Sequence, residues 1–379
     1  MKYCTRCVYP ASAVNLQFND EGVCSSCRVF EKFEKFTPEF WNKRKKRFEQ
    51  IVEAILKSKK SNSNYDCIIA VGGGKDSYYQ THIIVSEYGL KPLLVTYNGN
   101  NYLPEGDYNR DRMRHVFDTD HLVFGPSVEV LQKLNRLCFR KMGDMNWHNH
   151  CGIFTYPVQI AVKMNIPLVI WGEVPYDVSG MFEPNDFVEF SNRVRHEHGL
   201  RGFEWYDLLN DPLENLTEQD LLWAKYPTDE EILKVGVRGL YIGNYFKWDP
   251  NSHYKLVKEK YGWKPAQKPF ERTYRIFSNI DDRYENGVHD LMKYIKFGYG
   301  RASDHASKDI RTGYMTRDVG IEMVKKYDHV IPSDLYYWLD YVNMSEKEFW
   351  KIANSFRDPR VWRKDKKGNW IKDNIWDNN

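Results

Sequence analysis

The chain has 379 residues, 42% hydrophobic and 28% charged, enough to bury one large core or two ordinary ones. Its 55 lysines and arginines nearly balance 52 aspartates and glutamates, leaving a net charge of +3, so no polycationic tail is present and no nucleic-acid partner is expected. The opening MKYCTRCVYPASAVNLQFND lacks the apolar run of a signal peptide, and no segment approaches the roughly 18 apolar residues of a membrane span, which predicts a cytoplasmic chain.

Cys4 and Cys7 form one C-x-x-C pair and Cys24 and Cys27 another, with sixteen residues between the pairs. That spacing can bring four thiolates to one tetrahedral ion, and with sulfur at every position no coordination site stays open. The predicted metal is therefore a structural Zn2+, supplying folding energy on the order of 10 kcal/mol to a module too small for a core of its own. An iron–sulfur cluster would also accept four cysteines. A charged helix follows in EKFTPEFWNKRKKRFEQIVEAILKSKK, with Phe48, Ile51, Ile55 and Leu56 on one face. Residues 1–60 thus read as a zinc-ribbon-like module with a linking helix.

From Cys67 onward, compact apolar runs alternate with helical patterns: CIIAV, a helix to Gly89, KPLLVTYN, a polar helix, HLVFG, a helix near Val128 to Met142, and IPLVIWGEV. The alternation predicts an α/β fold, a Rossmann-like parallel sheet covered on both faces. GLYIGNYF supplies one more strand, and the irregular stretch near 175–235 reads as an insertion close to the substrate. Residues 61–328 form this domain in our reading. Residues 329–379 form a helical extension, with a hairpin in RVWRKDKKGNWIKDNIWDNN.

The turn after the first strand, Ala70-Val71-Gly72-Gly73-Gly74-Lys75-Asp76-Ser77, has the character of a phosphate site. Glycines let backbone N–H groups approach an anion, and the helix that follows presents a positive end. A Walker A loop is excluded because Gly74-Lys75 is followed by Asp76, and a G-x-G-x-x-G loop because Asp76 and Ser77 stand where glycine is needed. Ligands of open α/β sheets lie beyond the strands' carboxyl ends, so Thr96, Tyr97 and Asn98, and Gly172 with Glu173, should surround the same ligand. Glu173 is a candidate magnesium ligand or substrate contact.

Farther on, Gly287 to Asp328 begins with an amphipathic helix carrying Val288, Leu291, Met292 and Ile295 on one side. It delivers Lys296, a glycine-flanked Arg301, then Asp304-His305 and Arg311, a set able to clamp pyrophosphate or a sugar-nucleotide phosphate. NWHNHCGIFTYP places His148, His150 and Cys151 ahead of an apolar helix, where they could line a substrate or ammonia path, bind a second metal, or be structural. Cys67 and Cys138 read as buried thiols.

The segment Gly73 to Ser77 resembles the pyrophosphate loop S-G-G-x-D-S of the PP-loop ATP pyrophosphatases, with Gly72 in place of the usual serine. Taken with the cysteine module, IGNYFKWD at Ile242 to Asp249, and KFGYGRASDHASKDIR, the chain from about Met1 to Asp328 resembles the N-acetyl sugar amidotransferases of bacterial surface-polysaccharide synthesis. The resemblance implies an adenine-nucleotide α-hydrolase-like domain that binds ATP and Mg2+ through residues 70–77, Tyr97, Gly172 and Glu173. It implies that Lys75 and Ser77 hold phosphate oxygens, that Asp76 orients the loop or a magnesium ion, and that Lys296 and Arg301 assist. His148, His150, Asp304, His305 and Arg311 would face the substrate, and the missing serine hydroxyl would weaken catalysis. The implied reaction adenylates the acetamido oxygen of an N-acetylated sugar and replaces it with ammonia, for O-antigen or a related glycan. Ammonia would come from a separate glutaminase similar to the subunits of imidazole glycerol phosphate synthase. Two other readings fit the same motifs: a PP-loop tRNA-modifying enzyme, and a non-catalytic zinc-ribbon adaptor that binds nucleotide.

Overall fold

The structure, a computed structural model, describes residues 1–58, 64–99, 102–174, 185–278, 280 and 285–377. Five strands, β1 (Cys67–Ala70), β2 (Pro92–Tyr97), β3 (Asp120–Phe124), β4 (Leu168–Trp171) and β5 (Arg238–Tyr241), form one parallel sheet in the order β3-β2-β1-β4-β5. The register sets Ile69 beside Leu94 and Ile170. The chain order reverses between β1 and β4, which opens a crevice at their carboxyl ends.

Because side chains alternate along a strand, each central strand must be apolar throughout to be covered twice. Ile69, Leu94, Ile170 and Leu240 face a core shared with Tyr78 of α3 (Lys75–Thr81), Met113 of α4 (Pro104–Val116) and Phe48, Val52 and Ile55, while Ile68, Leu93, Val95 and Val169 face Val158, Ile160 and Ala161. The first three of those partners outside the α/β unit lie on α2 (Pro38–Ser58), which follows α1 (Ser25–Glu34); the last three lie on α6 (Trp147–Lys163). Between them α5 spans Val128–Met142, its start fixed by the Ser127 hydroxyl accepting from Val130 N and its end by Gly143 at φ 62°.

Further helices include α7 (Asp229–Val235), α8 (Pro250–Tyr261), α9 (Glu285–Phe297), α10 (Arg301–Arg311), α11 (Arg317–Tyr327), α12 (Asp334–Val342) and α13 (Glu346–Ser355), followed by a hairpin of β6 (Arg363–Lys364) and β7 (Trp370–Ile371). The apolar face of α9, Val288, Leu291, Met292 and Ile295, packs with Phe139, Leu335, Trp338 and Phe349 in a separate core. Asp328, just after α11, accepts from Gly300 N at 2.9 Å and Ser303 N at 3.2 Å and so caps α10. The cysteine module is docked on this pair of helices: Arg317 donates to Cys4 O and Cys7 O at 3.2 Å each, and Tyr9 meets Tyr299 edge to face at 5.8 Å.

Two expectations change. His148, His150 and Cys151 lie in the first turns of α6, not ahead of it; the helix continues through Pro157 despite that residue's missing N–H and fixed φ. Of the expected insertion, residues 175–184 lie outside the described residues, and 185–235 holds short helical turns, α7, and Phe190 paired antiparallel with Gly239. Among the described residues no helix is long and apolar enough to cross a membrane.

Candidate active site

The glycine turn leaves β1 at the sheet's central crevice. Gly73 has φ +83°, and a Cβ there would fall 2.8 Å from the backbone of Arg110 in α4, so both conformation and space demand glycine. The turn is pinned from three sides: Ser77 Oγ accepts from Gly72 N at 3.0 Å, Trp263 Nε1 donates to Gly73 O at 2.9 Å, and Thr96 Oγ1 donates to Val71 O at 2.6 Å. A Cβ on Gly72 would meet only Tyr102 Oη at 3.7 Å, an ordinary contact, so the usual serine would fit.

A cleft of about 560 Å³ opens over this turn, a size suited to a nucleotide. Its wall combines Lys75, Arg275, Lys293, Arg301, Lys308 and Arg311 with Asp76, Glu173 and Asp304, and includes Tyr9, Tyr97 and His305. Cationic excess in a recess favours a polyanion. Arg275 is paired with Asp309 at 2.5 Å and Arg301 with Asp290 at 2.8 Å, while Lys293 contacts Asp304 and Lys308 contacts Glu173. Lys75 Nζ lies 2.7 Å from Asp76 Oδ2, and His253 Nδ1 lies 2.9 Å from Asp76 Oδ1. Burial opposes ionisation of Asp76, yet Lys75 and His253 overcome it and hold the carboxyl below the usual range, so it is a carboxylate at neutral pH. His305, 2.6 Å from Thr273 Oγ1, is kept neutral by burial and by the nearby Arg275, Arg301, Lys75 and Lys308.

The structure thus gathers Ala70, Val71, Gly72, Gly74, Lys75, Asp76, Ser77, Tyr97, Glu173, Arg301, Asp304, His305 and Arg311 around one cleft. Gly73 and Gly172 stand behind it; a Cβ at Gly172 would strike Trp248 at 2.7 Å. Lys296 lies outside, in a neighbouring cleft of about 740 Å³, where its ammonium donates to Met142 O at 3.2 Å and burial lowers its pKa to about 8. His148 is fully buried behind Tyr97. His150 lies near His289, ring centroids 6.0 Å apart, and is held neutral by burial and by Arg201, with a pKa of about 3.

Arg275, Lys293, Lys308 and His253 were not anticipated. Lys308 had a readable signal: 301, 304, 305, 308 and 311 fall at helical spacing, so one helix through Arg311 turns all five toward the same side. Lys293 sits one turn before Lys296 on α9, and only placement of α10 tells which of the two reaches the cleft.

The four cysteines of the N-terminal module are buried with their sulfurs within 4.8 Å of one another, and Cys7 Sγ lies 3.7 Å from Cys24 Sγ. A tetrahedron with metal–sulfur bonds of 2.3 Å has sulfurs about 3.8 Å apart, so the donor set fits one ion. Backbone N–H groups of Arg6, Cys7 and Cys24 point at Cys4 Sγ at 3.3–3.5 Å, which favours a thiolate. Hydrogen bonding with Cys24 first, and with the other sulfurs, pulls the Cys4 thiol below the ordinary range and pushes that of Cys27 above it, since four anions cannot crowd together without a cation.

Residues 271–375 match the family described as LPS biosynthesis protein WbpG-like, C-terminal domain. Over 271 residues, 67% of this chain and 87% of the other, the sequence is 31% identical to "Uncharacterized protein MJ1599" of Methanocaldococcus jannaschii. The chain belongs to that protein's family. The WbpG-like match relates the segment carrying α9 and α10 to lipopolysaccharide biosynthesis proteins. A solved structure, the U34-tRNA thiolase NcsA from Methanococcus maripaludis with its 4Fe-4S cluster, aligns with 83% of this chain and 86% of its own at 13% identity and a TM-score of 0.30, a likeness too weak to carry an argument.

Proposed function

We propose that the protein is a cytoplasmic, ATP-dependent, AMP-forming amidotransferase that converts the acetamido group of an N-acetylated sugar into an acetamidino group for a surface polysaccharide. The observation that carries this reading is the cleft that joins a Gly73-Gly74-Lys75-Asp76-Ser77 turn to a cationic wall from the segment matching the WbpG-like domain. An amide is a poor electrophile with a poor leaving group, and ATP with Mg2+ would supply an adenylyl group that turns the amide oxygen into one that departs. Gly72, Gly74 and Ser77 and the Lys75 and Arg301 side chains would face its phosphates; Asp76, Glu173 and Asp304 would be the cleft's carboxylates for a hard cation. His305, held neutral, adds no positive charge to this surface and can serve as a hydrogen-bonding partner for a sugar. The four cysteines would hold a structural Zn2+, and a separate glutaminase would supply ammonia.

The test is incubation with ATP, Mg2+, ammonium and a panel of free and nucleotide-linked N-acetylated sugars. The expected result is AMP together with a loss of about one mass unit from the sugar, the difference between O and NH. AMP formation stimulated by tRNA with every sugar unchanged would replace this reading with RNA modification, and nucleotide binding without turnover would replace it with an adaptor.

A further inference from the structure

Behind the cleft runs a polar chain that the nucleotide site does not need. Tyr97 ends β2 and lines the cleft, and its hydroxyl lies 3.1 Å from His148 Nδ1. His148 Nε2 lies 2.9 Å from each oxygen of Glu285, and both side chains are 0% exposed. Asn135 Nδ2 donates to the same carboxylate at 2.9 Å and Asn149 Nδ2 at 3.4 Å. Trp338 Nε1 can only donate, and its 2.8 Å bond to Asn135 Oδ1 fixes which way that amide faces.

The proton positions follow from these partners. A carboxylate accepts, so His148 carries its proton on Nε2, and Nδ1 is left to accept from the Tyr97 hydroxyl. Burial first, then Cys151 and Glu285, holds the Tyr97 hydroxyl well above the usual tyrosine range, so it remains protonated. The chain is polarised from the cleft inward, and a fully buried carboxylate held by the N–H groups of His148, Asn135 and Asn149 is an expensive way merely to fill a core. The ring is seated closely as well: a Cβ on Gly152 would fall 2.2 Å from it.

We propose that Tyr97, His148 and Glu285 form a proton relay that serves the ammonia step. The inference rests on the amidotransferase reading. Ammonia's nitrogen bonds to the adenylylated, N-protonated acetamido carbon, giving an adduct with a cationic –NH3 group. One of its protons passes to Tyr97 Oη as the tyrosine's own proton passes to His148 Nδ1. The C–O bond to AMP then breaks, its electron pair leaving on AMP, and an amidinium remains. The imidazolium of His148, neutralised by Glu285, returns its extra proton by the reverse path once the product has left. Tyr97 is the catalytic residue; His148 and Glu285 act through it. Adenylation of the amide oxygen sheds no proton here, so the first half-reaction does not call on the relay.

The full chain is compared with Tyr97→Phe and Glu285→Gln in two assays: sugar-dependent exchange between ATP and labelled pyrophosphate, and amidination with ammonia or with hydroxylamine. In both variants the ratio of ammonia-dependent amidination to exchange should fall about 100-fold, the scale of general acid–base catalysis. Hydroxylamine's adduct gives up its proton more readily, so its rate relative to ammonia should rise at least about tenfold in the variants. Tyr97→Phe removes a single hydroxyl and carries the test if Glu285→Gln does not fold. Exchange and both nucleophiles falling together, or an unchanged ratio, overturns the relay and leaves the amidotransferase reading intact. Absence of exchange in the unaltered protein with every N-acetylated sugar overturns both.

Discussion

Substitution of Gly73 by alanine tests the glycine turn most directly. At φ +83° a non-glycine residue is strained by about 1–2 kcal/mol. The added Cβ would also lie 2.8 Å from N, Cα and Cβ of Arg110, and the backbone of α4 cannot swing aside as a side-chain tip could, so overpacking adds about 1–3 kcal/mol. The strain can appear in two places. If the turn keeps its shape, the fold bears it; if the turn shifts, nucleotide affinity bears it. The sum of the loss in unfolding free energy and the loss in binding free energy should therefore reach at least about 2 kcal/mol, equivalent to roughly 30-fold in an equilibrium constant. Urea denaturation followed by tryptophan fluorescence gives the first quantity and calorimetric titration with Mg2+ and a non-hydrolysable ATP analogue gives the second. Gly72→Ser is the control, because its Cβ has ordinary space: stability should stay within about 0.5 kcal/mol and affinity should not fall. A Gly73→Ala protein indistinguishable in both measurements, or a Gly72→Ser protein harmed more than Gly73→Ala, refutes the reasoning.

Ser77→Ala deprives the Gly72 N–H of its 3.0 Å acceptor; the expected loss is about 1 kcal/mol in urea denaturation, with weaker nucleotide binding, and no change in either would mean that Ser77 does not hold the turn. Cys24→Ser should lower bound zinc, read by elemental analysis, well below one ion per chain and should speed amide exchange in α10 and α11. That exchange would rise because Arg317 bonds the Cys4 and Cys7 carbonyls and Tyr9 donates to Asp304 at 3.0 Å; unchanged protection there would show that the module is merely tethered. His305 is buried neutral with its pKa lowered, so the unfolded chain takes up a proton that the native chain refuses once the pH drops below about 6.5. Stability should be full above that pH and fall below it by at most about 1.4 kcal/mol per pH unit from this one group, and His305→Gln should flatten the slope; equal slopes in the two proteins would remove His305 from the explanation.

What was legible in the sequence is what depends on local physics. Strand and helix periodicity places β1 to β5, and the Ser127 cap and Gly143 close α5 at the expected residues. The glycine turn is readable because its backbone demands are written in residue identity. The cysteine pairs are readable because metal geometry restricts spacing. Charged residues on long helices are harder: Lys293 and Lys296 are nearly equivalent in pattern, and the packing of α9 against α10 and α5 decides that the first reaches the cleft over the glycine turn and the second reaches Met142 O. His148 and Glu285, 137 residues apart, become partners only through tertiary packing, and no spacing rule can pair them. The position of Pro157 within α6 shows the same limit, a local preference overridden by burial of the helix against the sheet.

The cleft's cations fall into two kinds, and the difference bears on how a nucleotide would bind. Arg275 and Arg301 are paired from behind: Asp309 and Asp290 are buried and do not line the cleft, so they hold each guanidinium in place while lowering its net charge. Lys293 and Lys308 are paired from within, since Asp304 and Glu173 line the cleft themselves. An arriving polyphosphate therefore meets pre-positioned arginines at little ordering cost but must compete with carboxylates for the lysines. Each lysine surrendered to phosphate releases an oxygen donor of the kind a hard divalent cation requires. Nucleotide and Mg2+ would thus satisfy complementary halves of the same ion pairs, so that on the proposed function their joint binding would be cooperative and either one alone weaker. Because every partner in these pairs except Glu173 lies within residues 271–375 and none lies in the turn at 70–77, the cationic wall, rather than the glycine turn, is the part of the chain best placed to set which substrate the cleft would accept.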